Sequence, residues 1–172
     1  RKLLADVFIH PTDTIYGIGC DATNGALVQK IRDLKSRERM PFIVIAPNKE
    51  WIRKVCHVTE ESEAWLEQLP GPYTLVLPIK DEHALPFSVT SGKDTLGVRI
   101  PNHWISQCVA DIGKPIISTS ANIHGQNHMR KIEDLPSSWK GHVPFALDEG
   151  EIDNRPSTIV DLSAESVQIT PR

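Results

Sequence analysis

No apolar run in this sequence approaches the roughly 20 residues that a membrane-spanning helix needs. Arg1–Asp6 leads into only a short apolar stretch, so a secretory leader is not expected either. Cysteine is sparse: Cys20, Cys56 and Cys108 form an odd, scattered set with no CxxC and no metal-ligand spacing. That fits reduced thiols in a cytoplasmic protein better than a disulfide framework, with each cysteine read as a small core residue rather than a nucleophile. Aromatics make up 6% of the chain, whereas RNA readers usually stack bases on them. Cations do not predominate, and the formal net charge of −3 argues against a surface built for bulk nucleic-acid binding, though not against a local basic cleft. A Walker A loop, GxGxxG, GxSxG and HExxH are all absent, so any nucleotide is held by another design. His124, His128 and His142 match no standard zinc spacing, and no metal site is expected.

What is present is an ordinary globular composition, 40% hydrophobic and 24% charged over 172 residues, which suits a single domain spanning 1–172. No internal repeat or low-complexity tract divides it. Val7–His10 reads as an entry strand stopped by Pro11, and Phe42–Ala46 as a buried strand between Pro41 and Pro47. Asn24 caps a helix over about Gly25–Leu34, with Leu27, Ile31 and Leu34 at helical spacing. Thr59 starts another that ends before Pro70, and Ile105, Cys108, Val109 and Ile112 mark a third, stopped by Gly113. Tyr73–Ile79, Thr95–Ile100, Ile116–Thr119, Val143–Leu147, Thr158–Leu162 and Val167–Thr170 read as strands, and Ile123–Ile132 as irregular. Strands and helices interleave without strict alternation. The expected fold class is therefore α/β, of the α+β-like kind: a twisted mixed β-sheet with helices packed on it.

Four segments could carry chemistry. Pro11–Asp21 places Thr12 and Thr14 directly after a strand, followed by Gly17 and Gly19; a ligand grip and a locally satisfied turn both fit. Lys35, Arg37 and Arg39 stand at alternate positions past a helix end. In an extended loop, Lys35 and Arg37 would converge on phosphate oxygens; a solvated basic loop fits equally. In the third segment Thr95, Gly97 and Arg99 share one strand face and Leu96, Val98 and Ile100 the other. The apolar set wants the core, so Arg99 would point to the open face, ready for an anion such as a carboxylate; His103 reads as a cap. Ser118-Thr119-Ser120-Ala121-Asn122 is a dense polar cluster at a sheet edge, where small molecules often bind.

Together these segments resemble the YrdC-like family, the threonylcarbamoyl-AMP synthases, over almost the whole chain. Pro11–Asp21 is similar to the family's opening PT-acidic-T…YG.G.D motif, and Lys35-Ser36-Arg37 to its KxR signature, with Pro41 at the expected distance. Pro70–Thr74 resembles the PGPxT turn, Gly97–His103 the VRxPxH strand, Ser118–Asn122 the STSAN form, and Pro156–Asp161 the PSTIVD strand. Any one motif is weak, but six in the family's order are specific. The resemblance implies the YrdC-like fold with an open basic concavity. In it, Thr14, Arg99, Ser118 and Ser157 would hold L-threonine, while Lys35, Arg37, Thr95, Ser120, Asn122 and Arg172 would surround ATP and bicarbonate. It also implies an enzyme, a nucleotidyltransferase that forms threonylcarbamoyl-AMP and pyrophosphate for threonylcarbamoyladenosine modification of tRNA next to the anticodon.

On that reading Lys35 and Arg37 are catalytic, stabilising charge on the new carboxylate and the phosphates, and Mg²⁺ travels with ATP. Replacing either by Ala should cut turnover far more than fold stability. A tRNA-modifying transferase complex is the implied recipient of the product. Ile45 stands where longer family members carry histidine, which marks the short bacterial form. Arg1 in place of a methionine, and the lack of the helix usual before the first strand, point to missing N-terminal residues. Two alternatives remain: a non-catalytic module binding double-stranded RNA or tRNA, and a carbamoyl-transfer domain that would use carbamoyl phosphate.

Overall fold

The computed structural model describes residues 2–36 and 40–172. Helix α1 (Lys2–Ala5) precedes β1 (Phe8–His10) and β2 (Gly17–Gly19); α2 (Gly25–Lys35), β3 (Ile43–Ile45), α3 (Lys49–Val55) and α4 (Glu60–Leu66) follow. Then come β4 (Tyr73–Pro78), α5 (Phe87–Thr90), β5 (Thr95–Arg99), α6 (Trp104–Ile112), β6 (Ile116–Ile117) and β7 (Thr119–Ser120). After two 3₁₀ turns the chain closes with β8 (Phe145–Ala146), β9 (Thr158–Asp161) and β10 (Gln168–Thr170).

The helix boundaries follow from their caps. The Asn24 side chain accepts from the N–H groups of Ala26 and Leu27, so α2 starts at Gly25. Thr59 and Ser62 form a reciprocal capping box on α4. His103 caps α6 through Nδ1, and Gly113 ends it in the left-handed conformation. Helix α3 was not foreseen; its signal is Asn48, whose side chain accepts from Trp51 N–H, with Ile52 and Val55 turned inward.

The mixed sheet is present, but its ladders divide in two. A six-stranded sheet runs β10-β9-β4-β5-β3-β6 and a four-stranded one β7-β2-β1-β8. Strands β3 and β9 pair parallel to their neighbours β5 and β4, whereas β4–β5, β9–β10 and β3–β6 are antiparallel. The expected single strand Ile116–Thr119 is split by this division. Ile116 and Ile117 pair with β3, Thr119 and Ser120 pair with β2, and between them Ser118 N–H donates to Ile43 O. Ser118 is thus the point where the backbone passes from one sheet to the other.

Strand β2 is also a departure, because the glycines at 17 and 19 read as a loop that approaches a ligand. Both make room for the protein's own groups, and Gly17 also lines the cavity described below. A Cβ at Gly19 would stand 2.5 Å from the Ile117 carbonyl oxygen, and one at Gly17 would stand 2.8 Å from His10 Nε2. Behind the sheets lies one large core that includes Ile9, Ile18, Val28, Ile31, Leu75, Leu96, Val98 and Val160. A smaller cluster of Phe8, Ile45, Ile105, Val109 and Ile116 seats α6. Cys20 and Cys56 are buried; burial pushes both thiols up, that of Cys56 to about 12, so neither forms a thiolate at neutral pH.

Candidate functional site

The face of the six-stranded sheet opposite the core forms the floor of an open cavity of about 480 Å³. The strand period of two sets its lining. Thr95, Gly97 and Arg99 of β5 face the cavity, as do Thr74 and Val76 of β4 and Ile159 of β9. Leu96 and Val98 point the other way and are buried in the core, the face division expected from the sequence. Thr12, Thr14 and Ile15 form one wall, Ser118, Thr119, Ser120 and Asn122 another, and Ser157 and Arg172 a third.

Arg99 is 5% exposed and held from behind. Its Nη2 lies 2.5 Å from Asp13 Oδ1, and Nη1 donates to Thr14 Oγ1 at 3.1 Å. The second Asp13 oxygen accepts from Asn102 N–H at 2.9 Å, and Asp13 itself is not part of the cavity lining. Burial draws the Arg99 pKa down, and the Asp13 carboxylate opposes that shift. Thr12 Oγ1 donates to Ile15 O at 2.8 Å, so in its 2.9 Å contact with Thr14 the proton comes from Thr14. Thr14 Oγ1 therefore turns lone pairs, not its proton, toward Arg99 and the cavity.

On the far wall Arg172 donates through Nε to Ser157 O at 2.9 Å and through Nη2 to Ser157 Oγ at 3.0 Å. Ser157 Oγ shares a further bond of 2.7 Å with Thr74 Oγ1. The loop after β7 is knitted by its own amides: Ser120 Oγ donates to Asn122 Oδ1 at 2.6 Å, and Asn122 Nδ2 donates to Gln126 O at 2.6 Å.

Of the residues singled out from sequence, Thr14, Thr95, Arg99, Ser118, Ser120, Asn122, Ser157 and Arg172 line this one cavity. Arg37 lies outside the described residues. Lys35 differs from expectation in conformation and surroundings. It is the last residue of α2, not part of an extended loop, and is 1% exposed. Its Nζ donates to Ser120 O at 2.5 Å, Asn122 O at 2.7 Å and Asn122 Oδ1 at 3.1 Å, so the ammonium sits directly behind the Ser120–Asn122 loop. The physical reason is geometric. A lysine ending a helix against a loop rich in carbonyls finds there an acceptor for each of its three protons.

Sequence reasoning missed Thr74, Gln126, Asn127 and His128 as lining residues. Thr74 was legible from its place in the PGPxT turn at the start of a strand; the other three fall in the irregular stretch, where no periodicity assigns a face. Among the described lining residues, Arg99 and Arg172 are the full cations and none is a carboxylate. The cavity therefore offers hydroxyls, amides and positive charge to an anionic ligand.

A mixed-sheet α/β fold with such a cavity on the open sheet face defines a small-molecule-binding domain of the Sua5/YciO/YrdC kind. The model of that family, described as telomere recombination, matches residues 5–172, and this chain belongs to it. A threonylcarbamoyl-AMP synthase of Vibrio campbellii is 31% identical over 170 residues, covering 94% of this chain and 90% of the relative. The crystal structure of P. abyssi Sua5 complexed with L-threonine superposes with a TM-score of 0.87 at 30% identity, covering 95% of this chain and 49% of that one. The chain thus spans about half the length of that solved relative. E. coli YciO shares the fold, with a TM-score of 0.84 at 21% identity over 97% of this chain and 82% of that one.

Proposed function

We propose that this chain is an L-threonylcarbamoyladenylate synthase, converting L-threonine, bicarbonate and ATP to threonylcarbamoyl-AMP, pyrophosphate and water for the modification of tRNA. The observation that carries the reading is the cavity itself, which is lined by hydroxyls and arginines without a carboxylate, in a chain about 30% identical to synthases along most of its length. The threonine nitrogen bonds to the carbon of CO₂ derived from bicarbonate and gives up a proton. An oxygen of the resulting N-carboxylate then bonds to the α-phosphorus of ATP, and the bond to pyrophosphate breaks. Such chemistry asks for positioning and charge neutralisation more than for a strong acid or base.

In this scheme Arg99 receives the threonine carboxylate, with Thr14, Ser118 and Ser157 around the amine and side chain. Arg172, Thr95, Ser120 and Asn122 face the nucleotide and bicarbonate. Lys35 supports that side through the loop it holds, and Arg37 is assigned with it to the phosphates. The cavity donors offer a divalent cation no anionic ligand. Mg²⁺ would therefore be held by phosphate oxygens and water and arrive with ATP. The product's recipient is a tRNA-modifying transferase complex, and the setting is cytoplasmic. No helix among the described residues is long and apolar enough to cross a membrane.

The test is isotopic. Incubation with ¹³C-bicarbonate, threonine and ATP should yield one labelled carbon in a nucleotide that contains threonine, read by mass spectrometry. Label that enters only from ¹³C-carbamoyl phosphate supplied in place of bicarbonate would assign the chain to carbamoyl transfer. Labelled product absent under both conditions, with RNA binding retained, would make it an RNA-binding module.

A further inference from the structure

His10 is wholly buried at the end of β1, with its ring against Gly17, a residue of the cavity lining. Its Nδ1 lies 3.2 Å from Pro11 O, which can only accept, so Nδ1 carries the proton and Nε2 bears a lone pair. Nε2 is one of the few buried polar atoms with no hydrogen-bond partner among the described residues. A leucine or phenylalanine would fill the same core position without stranding an acceptor, so the unmet nitrogen calls for an explanation.

The explanation lies across Gly17. The point where a Gly17 Cβ would stand is 2.8 Å from His10 Nε2 and 3.3 Å from Ser118 Oγ, so the two atoms flank the same small gap. Ser118 lines the cavity, and its hydroxyl also has no partner among the described residues. A buried acceptor without a partner and a cavity-lining hydroxyl thus border the same gap, where the glycine leaves room. We propose that His10 is a positioning residue: its Nε2 accepts the Ser118 hydroxyl proton when threonine binds, fixing the direction in which Ser118 presents its lone pairs. This inference rests on the synthase reading.

The chemistry gives the device a purpose. The threonine amine attacks carbon through its nitrogen lone pair. A serine hydroxyl free to rotate could donate its proton to that lone pair and block the attack. With the proton committed to Nε2, Ser118 Oγ only accepts, taking an N–H of the amine and leaving the nitrogen lone pair free. The neutral state this needs is the one the site favours, since burial, and then the charges of Arg99 and His103, hold the His10 pKa down to about 4.

The experiment is a steady-state comparison of His10→Asn and His10→Gln, with pyrophosphate release as the readout. Asn reproduces the Nδ1 donor but has nothing at Nε2; Gln restores an acceptor there. His10→Asn should raise the KM for threonine about tenfold, with the KM for ATP unchanged within twofold, and His10→Gln should recover most of the loss. In a Ser118→Ala background, His10→Asn should add nothing further. Gly17→Ala, whose methyl would stand 2.8 Å from His10 Nε2 and 3.3 Å from Ser118 Oγ and so hold the two apart, should reproduce the threonine defect with the imidazole still in place. Wild-type turnover with threonine is the control: an inactive wild type overturns the synthase reading, and this inference with it. With an active wild type, an unchanged threonine KM in His10→Asn, equal loss in Asn and Gln, or independent effects of His10 and Ser118 would overturn the His10 role alone.

Discussion

Asp13 and Arg99 come from distant parts of the chain, yet they form one buried unit, with side-chain exposures of 12% and 6%. Removing one partner of such a pair strands the other charge and typically costs about 3–5 kcal/mol. Asp13→Asn should therefore destabilise the fold by about 3 kcal/mol in urea unfolding. It should also raise the KM for threonine at least tenfold while sparing the KM for ATP, because Arg99 loses the anchor that aims it. Lys35 changes an expectation formed from the sequence. As a loop cation its loss would cut turnover far more than stability. Buried and bonded to Ser120 and Asn122, it is also structural. Lys35→Ala should lower stability by about 2–3 kcal/mol as well as turnover, by thermal or urea unfolding, since it leaves loop acceptors unmet. His10 adds a pH dependence. Its pKa falls from 6.5 to about 4 on folding, so the unfolded chain takes up a proton that the folded one refuses. The stability this neutral histidine requires is fully present above pH 6.5 and is lost as pH falls toward 4. The loss is on the order of 3 kcal/mol, and His10→Phe should abolish that part of the acid dependence.

At the scale of elements, the junction of β1, β2 and β6 decides whether the cavity wall forms. Gly19 lies where a side chain would strike the Ile117 carbonyl, a backbone atom that cannot swing aside. Gly19→Ala should cost about 2–3 kcal/mol in denaturant unfolding. A neutral result would show that β2 is less tightly seated than its pairing indicates. This junction is also where sequence reading was weakest. The periodic elements, α2, α4, α6, β4 and β5, were legible because caps and apolar spacing state them locally. The strand Gly17–Gly19 was not, because its glycines answer to His10 and Ile117, groups distant in sequence or brought near by pairing. The split of Ile116–Thr119 between two sheets was hidden for the same reason: each half carries only two residues, and the choice of partner lies in other strands.

For the whole molecule, the candidate site was more legible than the fold around it. Strand alternation alone placed Arg99 and Thr95 on the open face, and the polar cluster at Ser118–Asn122 announced a ligand-facing loop. What the sequence withheld was which groups stand behind others. Asp13 lies behind Arg99, and Lys35 behind the Ser120–Asn122 loop, because both depend on three-dimensional convergence. The central claim is that this cavity joins threonine to the α-phosphate of ATP through bicarbonate. Its most direct test is pyrophosphate release from ATP by the intact chain, with threonine and bicarbonate supplied together, each omitted in turn, and serine or carbamoyl phosphate as substitutes. Release that requires both threonine and bicarbonate, and is weak with serine, is the predicted result; release driven by carbamoyl phosphate without threonine, or none under any combination, would contradict it.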